Sequence, residues 1–514
     1  MTEYRSKEQL YAVLDRVVAE LRQDDAFKAL IAHANASLAF IVTDLSGEYV
    51  LSFWKGHLSG AKEGSAQATA GITLTSEILD KVLSGQMSGE SAYLSGSLRL
   101  KGDEGAAQNM ASYLRYMAPS YRRHRPQETD VPSLPTSGVP KMKITKLETL
   151  LVKPRWLFLK MHTDEGLIGL GEPILEGRAL TCAQAVAELE PYLLGKDPTQ
   201  VVHHWQAMYK HAFYRGGPIL TSALSGVEHA LWDLTGKAMG VPVYKLLGGP
   251  LRNRIRIYRG CGGATVEQAA ANAKAMVAEG FTAMKTGPSG GRPARIIETP
   301  GFVDRVVERF AAMREAVGKD IDIAIDFHGA VPPQTAMLLI KALEPYQPMF
   351  VEEPVQCQNV DVLADMARKT HLPIATGERL FTKWGFREVL EKGAASILQP
   401  DIAHAGGIFE GRLIAGMAEA YYGAIAPHCP LGPIALAACL QLDAAIPNFL
   451  IQEHASLGEG YLKEPFQMVD GYIPLPEKPG LGIELDDEAM ADKVPHDWRN
   501  PETYHPDDGT AIDW

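Results

Sequence analysis

IDIAIDFHG, residues 321–329, carries β-branched residues into an aspartate, a histidine and a glycine. A short apolar run closed by polar residues and glycine reads as a buried strand ending in a loop. MFVEEP (349–354) and PIATGER (373–379) repeat the pattern. Asp326, Glu352 and Glu378 thus close three successive runs, and the two intervals between them are both 26 residues. That interval is about one β/α unit. In a parallel barrel the C-terminal ends of consecutive strands converge on one face, so the three carboxylates are expected to meet. Three oxygen ligands meeting at one point suit a hard divalent cation such as Mg²⁺, one per subunit.

Outward from this core the same alternation continues. IRIYRG, FTAMKTG, ASILQPD, AIAPHC and FLIQEH complete a set of eight short apolar strands between Arg254 and about residue 455, separated mostly by amphipathic helices such as VDRVVERFAAMREAV. Eight parallel strands are the number that closes a (β/α) TIM-type barrel, and the fold class is therefore α/β. The stretch RPQETDVPSLPTSGVP has no helical or strand period and predicts a linker over 126–141. Before it, residues 1–125 read as a small α+β domain. A first helix carries Leu10, Val13, Leu14, Val17, Val18 and Leu21, followed by strands SLAFIVTD, YVLSFWKG and AGITLT, helix SEILDKVLSGQM, strand AYLSGSLRLKGD and a closing helix. Residues 142–253 read as a second α+β unit.

At 514 residues the chain exceeds what one core usually serves. With 46% hydrophobic and 22% charged residues it is globular, and a net charge of −12 gives no general attraction to nucleic acid or anionic membrane. Five widely spaced cysteines without a CxxC suggest free thiols, and the polar start MTEYRSKEQL does not read as a secretory signal. A cytoplasmic location is expected.

The barrel face collects more than carboxylates. Side chains two apart on a strand point the same way, which predicts that His328 shares a cavity with Asp326. Asp401 and His428 end the sixth and seventh strands and as neighbours could form a dyad, the carboxylate fixing the tautomer and raising the basicity of the imidazole. Glu453 ends the eighth. Two histidines beside a metal point to removal of a proton next to a metal-bound carboxylate, with charge developing on its oxygens neutralised there. Loss of a β-hydroxyl would then yield a 2-keto-3-deoxy acid, whereas return of the proton would be a racemisation. Other groups are less telling. Lys285 reads equally as a base, a substrate cation or a salt bridge at the core edge, Arg379 as a structural ion pair, and Glu353 as pointing away from Glu352. His404 lies in a loop just beyond a strand and reads as a support behind the reacting groups or as structural, and His203 and His204 sit on a helix outside the barrel.

These residues resemble the enolase superfamily, mandelate racemase subgroup, from about Met142 to Trp514. VKPRWLFLK, GEPILEGRA, FYRGGPI, ALWDLTGKA, DFHG, EEPV, GERLF, LQPDIAHAGGI, APHCPLGPIALAACL, PGLGIEL and DWRNP carry the likeness. Within it the chain most resembles the D-galactonate dehydratases. The resemblance implies that Asp326, Glu352 and Glu378 bind Mg²⁺, that His428 takes the C2 proton with Asp401 tuning it, that His328 expels the C3 hydroxyl, and that Glu453 hydrogen-bonds the enediolate. It also makes 142–253, completed by 456–514, a capping domain over the 254–455 barrel. Racemases of the subgroup carry Lys-x-Lys on strand two; here the triplet is Lys285-Thr286-Gly287, which favours dehydration. Ala330 stands where the similar dehydratases have an arginine after DFHG, and their QEQS is QEHAS here. Dehydration of another aldonic acid is the alternative activity.

Residues 1–125 resemble a sterol carrier protein 2 domain, chiefly through SEILDKVLSGQMSGE, AYLSGSLRLKGD and the closing helix. Met110, Leu114 and Met117 on that helix would line an apolar tunnel or form ordinary core, and Arg122, Arg123 and Arg125 mark the start of the linker. The expected partners are an acid sugar, a lipid or acyl ligand for the first domain, and further copies of the chain in a homo-oligomer, but no nucleic acid. A lipid-binding or targeting protein with a vestigial barrel is the contrasting reading.

Overall fold

The computed structural model describes Tyr4 and residues 6–125, 142–288, 298–505 and 508–513. The expected linker and part of the loop after the second barrel strand lie outside the described residues. Contacts divide the chain into two units, Met1–Ser137 and Gly138–Trp514.

In the first unit, the Ser6 side chain caps helix Lys7–Leu21 by accepting from the Gln9 amide at 3.3 Å. Its apolar stripe, Leu10 to Leu21, is buried as its spacing predicts. A five-stranded sheet follows, in the order 57–61, 47–54, 35–42, 70–74, 99–102, with only the 35–42 and 70–74 pair parallel. The expected strand AYLSGSLRLKGD is not one strand. Ser88 accepts from the Ser91 amide at 3.0 Å and starts a helix, Gly89–Leu94, so that only Arg99–Gly102 pairs. Local capping overrides the β-like composition there. Met110, Leu114 and Met117 on helix Glu104–His124 are buried in the unit's apolar core. The arginines expected to start the linker instead end that helix with partners: Arg122 donates to Ser84 O at 2.8 Å, Arg123 pairs with Glu20 and Arg125 with Asp80 at 3.0 Å.

The second unit opens with an antiparallel sheet, Ile144–Val152, Trp156–Thr163 and Ile168–Gly171, packed on helix Pro218–Met239. The strand approaches the helix through Gly171 and Gly226, where an added Cβ would overlap backbone of the opposite element. The C-terminal segment returns to this layer. Buried Asp233 accepts from the Leu170 amide at 2.9 Å, the Leu481 amide at 2.8 Å and Lys237 Nζ at 2.7 Å, joining strand, helix and returning chain.

Eight parallel strands follow: Arg254–Tyr258, Ala283–Thr286, Asp322–Asp326, Val351–Glu352, Ile374–Thr376, Ile397–Leu398, Ala424–Ile425 and Gln452–Glu453. The second to seventh form one sheet. Bridges Gly260↔Lys285 and Ile425↔Phe449, with the pairing Glu453↔Tyr258, close the ring. Helices follow the first seven strands. After the eighth, Tyr472–Pro474 runs antiparallel against the first strand as part of the returning chain. The interior is filled by Tyr258, Ala283, Ala324, Phe350, Ala375, Ile397, Ala426 and Ile451.

Asp233→Ala strands two buried amides and leaves Lys237 only its Ile168 carbonyl acceptor, a loss on the order of 2–4 kcal/mol. Its thermal unfolding midpoint should fall further than that of Asp233→Asn, which keeps an acceptor. An unchanged midpoint in the alanine variant would exclude this carboxylate as the tie.

Candidate active site

The barrel register sets the acids side by side. Asp326 pairs with Glu352 across neighbouring strands, and Glu352 with Ala375. Glu378 comes two residues past the fifth strand because Gly377, at φ +152°, lets the chain pass the Gln399 backbone, which an added Cβ would meet at 2.7 Å. All three side chains are shielded from solvent, Glu352 completely.

Lys285 answers the question its sequence leaves open. Its ammonium enters the acidic cluster from the second strand, 2.9 Å from Glu352 Oε1, 2.8 Å from Glu453 Oε1 and 3.7 Å from Asp326 Oδ2. Burial opposes its charge, but these carboxylates outweigh burial and hold it protonated well above the usual lysine range. Burial also disfavours ionised Asp326, yet Lys285 and His328 hold its carboxyl down to about 2. Glu352 goes the other way: burial and the Asp326 charge beside it push it well up. Glu378 is raised by burial, against the pull of His428.

His428 Nδ1 donates to Asp401 Oδ2 at 2.8 Å, and its Nε2 is 3.2 Å from Glu378 Oε2 and 4.0 Å from Glu453 Oε2. The dyad expected from neighbouring strands is thus formed. Burial works against the imidazolium, but Glu378 and Asp401 raise its basicity well above that of free histidine. Asp401 is itself held by the Ala403 amide at 2.8 Å. His328 reaches Asp326 by a different route from the one expected. The third strand ends at Asp326, and His328 takes a left-handed conformation, φ +57°, in the following turn. Its amide donates to Asp326 Oδ1 at 2.6 Å and its Nδ1 lies 3.3 Å from Oδ2. An aspartate accepting from the amide two residues on is a side-chain turn, and this turn, rather than strand alternation, puts the ring beside the acid.

Glu353 points away from Glu352 and is held by Thr376 and Arg379, with Arg379 Nε at 2.8 Å. Arg379 is thus the ion-pair partner its position suggests. His204 is buried between Tyr192 and the Asp197 carbonyl, away from the barrel mouth. Sequence reasoning missed Glu172 and Glu176, both in GEPILEGRA. Glu172 accepts from the Gly432 and Ala435 amides at 2.7 and 2.8 Å, at the helix that follows His428; burial pushes its carboxyl up to about 8 even so. Two acids spaced four apart in a proline-containing loop were the available signal.

The donor set fits a divalent cation. Asp326, Glu352, Glu378 and Glu453 form a buried acidic group compensated by one lysine and the His428 ring, and Glu352 Oε2 and Glu378 Oε2 are buried without a hydrogen-bond donor. As they stand, the described acids do not enclose a common point, with Lys285 Nζ lying among them.

Comparison with known proteins gives the family. Residues 142–248 match the mandelate racemase/muconate lactonizing enzyme N-terminal domain and residues 268–489 the enolase C-terminal domain-like family. A D-galactonate dehydratase of Ralstonia pickettii is 49% identical over 385 residues, spanning 73% of this chain and 100% of its own. The chain belongs to the mandelate racemase/muconate lactonizing enzyme family. A D-galactonate dehydratase of Pectobacterium atrosepticum is 47% identical over the same shares of the two chains. Among solved structures, an enolase from Agrobacterium radiobacter with Na and L-malate bound is 33% identical with a TM-score of 0.68, covering 72% of this chain and all of its own. A member of the enolase superfamily from Salmonella Typhimurium is 35% identical with a TM-score of 0.66, covering 69% and 98%. Residues 15–115 match the SCP-2 sterol transfer family. Family membership thus extends over both parts of the chain, the second as a (β/α) barrel with its capping domain.

Gly377→Ala should move Glu378 away from its neighbours, since a β-carbon at that φ meets the Gln399 backbone just past the sixth strand. Its unfolding midpoint should fall, and a wild-type midpoint in a thermal melt would contradict this account of Glu378.

Proposed function

We propose that the barrel is an acid-sugar dehydratase, a hydro-lyase that converts D-galactonate to 2-dehydro-3-deoxy-D-galactonate and water. The observation that carries the reading is the pair of imidazoles held by separate carboxylates, His428 on Asp401 and His328 on Asp326, at one acidic barrel mouth. The D-galactonate dehydratases matched over their full length support the substrate.

Asp326, Glu352 and Glu378 would hold Mg²⁺, which when bound supplies neutralisation of negative charge developing on the substrate carboxylate. His428 would take the C2 proton through Nε2, because Asp401 engages Nδ1 and fixes the tautomer, and Nε2 becomes free to accept when Glu378, 3.2 Å from it here, is taken up as a ligand. The C–H electron pair moves into the carboxylate as an enediolate. It then returns to form the C2–C3 double bond, the C3–O bond breaks, and His328 donates a proton so that water leaves. The enol tautomerises to the 2-keto acid. Glu453 would hydrogen-bond the enediolate; Lys285, 2.8 Å away, holds its carboxyl down against burial and orients it.

No second lysine follows Lys285 at the strand end, where Gly287 stands, so no second ammonium base is placed there for racemisation. The first domain, by its SCP-2 membership, would take a lipid or acyl ligand. Among the described residues no helix is long and apolar enough to cross a membrane.

Incubation with Mg²⁺ and a panel of aldonic acids, followed by a colour assay for 2-keto acids, should give product with D-galactonate above the others. No product from any acid would sink the reading, and product from a different acid would move only the substrate. His428→Ala should abolish C2 proton exchange in D₂O, and exchange at the wild-type rate would remove it as the base. His328→Ala should stop water loss while leaving slow exchange. Glu352→Gln should weaken Mg²⁺ binding by roughly a hundredfold, as expected for loss of a charged ligand.

A further inference from the structure

The loop between the sixth barrel strand and its helix is gripped by the capping domain. From helix Pro218–Met239, Ser225 accepts from the Gly406 amide at 2.9 Å, Glu228 from the Ile408 and Phe409 amides at 2.9 and 2.8 Å, and His229 Nε2 contacts Ile402 O at 3.0 Å. Ser222, on the same helix, is 3.0 Å from His404 Nδ1. His404 is buried, and its other nitrogen, Nε2, lies 3.5 Å from Glu176 Oε2 of the capping loop and 3.7 Å from Asp401 Oδ2.

The protons on this ring follow from its neighbours. The Ser222 hydroxyl hydrogen is directed to Pro218 O at 2.7 Å, so the oxygen can only accept from His404, and Nδ1 carries a proton. Nε2 faces two carboxylate oxygens, which are acceptors, and needs a proton as well. Both nitrogens are then donors and the ring is an imidazolium. Asp401 Oδ2, the oxygen it faces, is the one that accepts from His428 Nδ1.

We propose that His404 is a positioning residue, a buried imidazolium that joins Glu176 of the capping loop to Asp401 and thereby sets the aim of His428. Glu176 is anchored from behind, with Arg155 at 3.7 Å and the Trp498 ring over the Arg155 guanidinium at 5.3 Å. Asn500 of the same C-terminal segment packs against Gly177. The line from the DWRN segment to the base thus runs through five side chains: Trp498, Arg155, Glu176, His404 and Asp401. Burial disfavours both charged partners, yet His404 and Arg155 hold Glu176 down to about 2, and Asp401 and Glu176 hold His404 above the usual histidine range against His428. Capping loop and base are therefore aligned by one ring, and the base is correctly aimed when the loop carboxylate is seated.

The aiming role rests on the dehydratase reading, while the charge of the ring does not. In the full chain, ¹⁵N-labelled at histidine, the resonance missing from His404→Gln should show two protonated ring nitrogens at pH 7.5. One unprotonated nitrogen would overturn the proposal. With Mg²⁺ and D-galactonate, His404→Gln should lower kcat by roughly 30-fold and change KM by less than about threefold, as for an outer support of a catalytic group. The deuterium isotope effect from C2-deuterated substrate should rise, because misaimed His428 makes proton removal slower. A merely structural role would reduce the folded fraction and leave the isotope effect unchanged, which would overturn the proposal. If His404→Gln does not fold, Glu176→Gln, which leaves the ring in place, carries the same expectation. A wild-type chain inert towards every aldonic acid would sink the dehydratase reading and the aiming role together, whatever the ring's charge.

Discussion

Four carboxylates buried at the mouth of a barrel repel one another in a medium that screens poorly, and the rest of the site is organised around that repulsion. Lys285 stands among three of them and His428 meets the fourth. The result is an uneven distribution of charge, with Asp326 and Glu453 held ionised and Glu352 pushed towards the neutral acid. The negative charge of Glu378 and Asp401 in turn raises the basicity of His428 against burial.

Such a cluster needs rigid support, and the support comes from outside the barrel. Glu172 holds the helix that follows His428, Glu176 reaches the loop that follows Asp401, and the helix Pro218–Met239 grips that loop at four residues. The capping domain is therefore more than a cover. It fixes the two barrel loops whose strand ends carry the base and its partner, consistent with the rule that supports behind reacting groups govern their precision.

The barrel was legible because parallel strands buried on both faces leave short apolar runs at a nearly constant interval, and the acids at their ends mark the same face. Asp326, Glu352, Glu378, Asp401 and His428 could all be placed from that interval. His328 could be placed beside Asp326, though by a turn with positive φ that alternation does not describe. The first domain was less legible: AYLSGSLRLKGD has a strand-like composition, yet a helix capped by Ser88 upstream takes its first three residues and leaves a four-residue strand.

Sequence alone determined the eight-strand order, the three evenly spaced acids and the histidines at neighbouring strand ends, because each depends on local period and on the fixed geometry of parallel pairing. The tertiary structure alone decided which charges meet. Lys285 had three equal readings until its ammonium was found among Glu352, Glu453 and Asp326, and Glu176 and His404 lie 228 residues apart in the chain yet 3.5 Å apart in space. Charge interactions depend on distance through space and on burial, and neither is written in the spacing of residues along a chain.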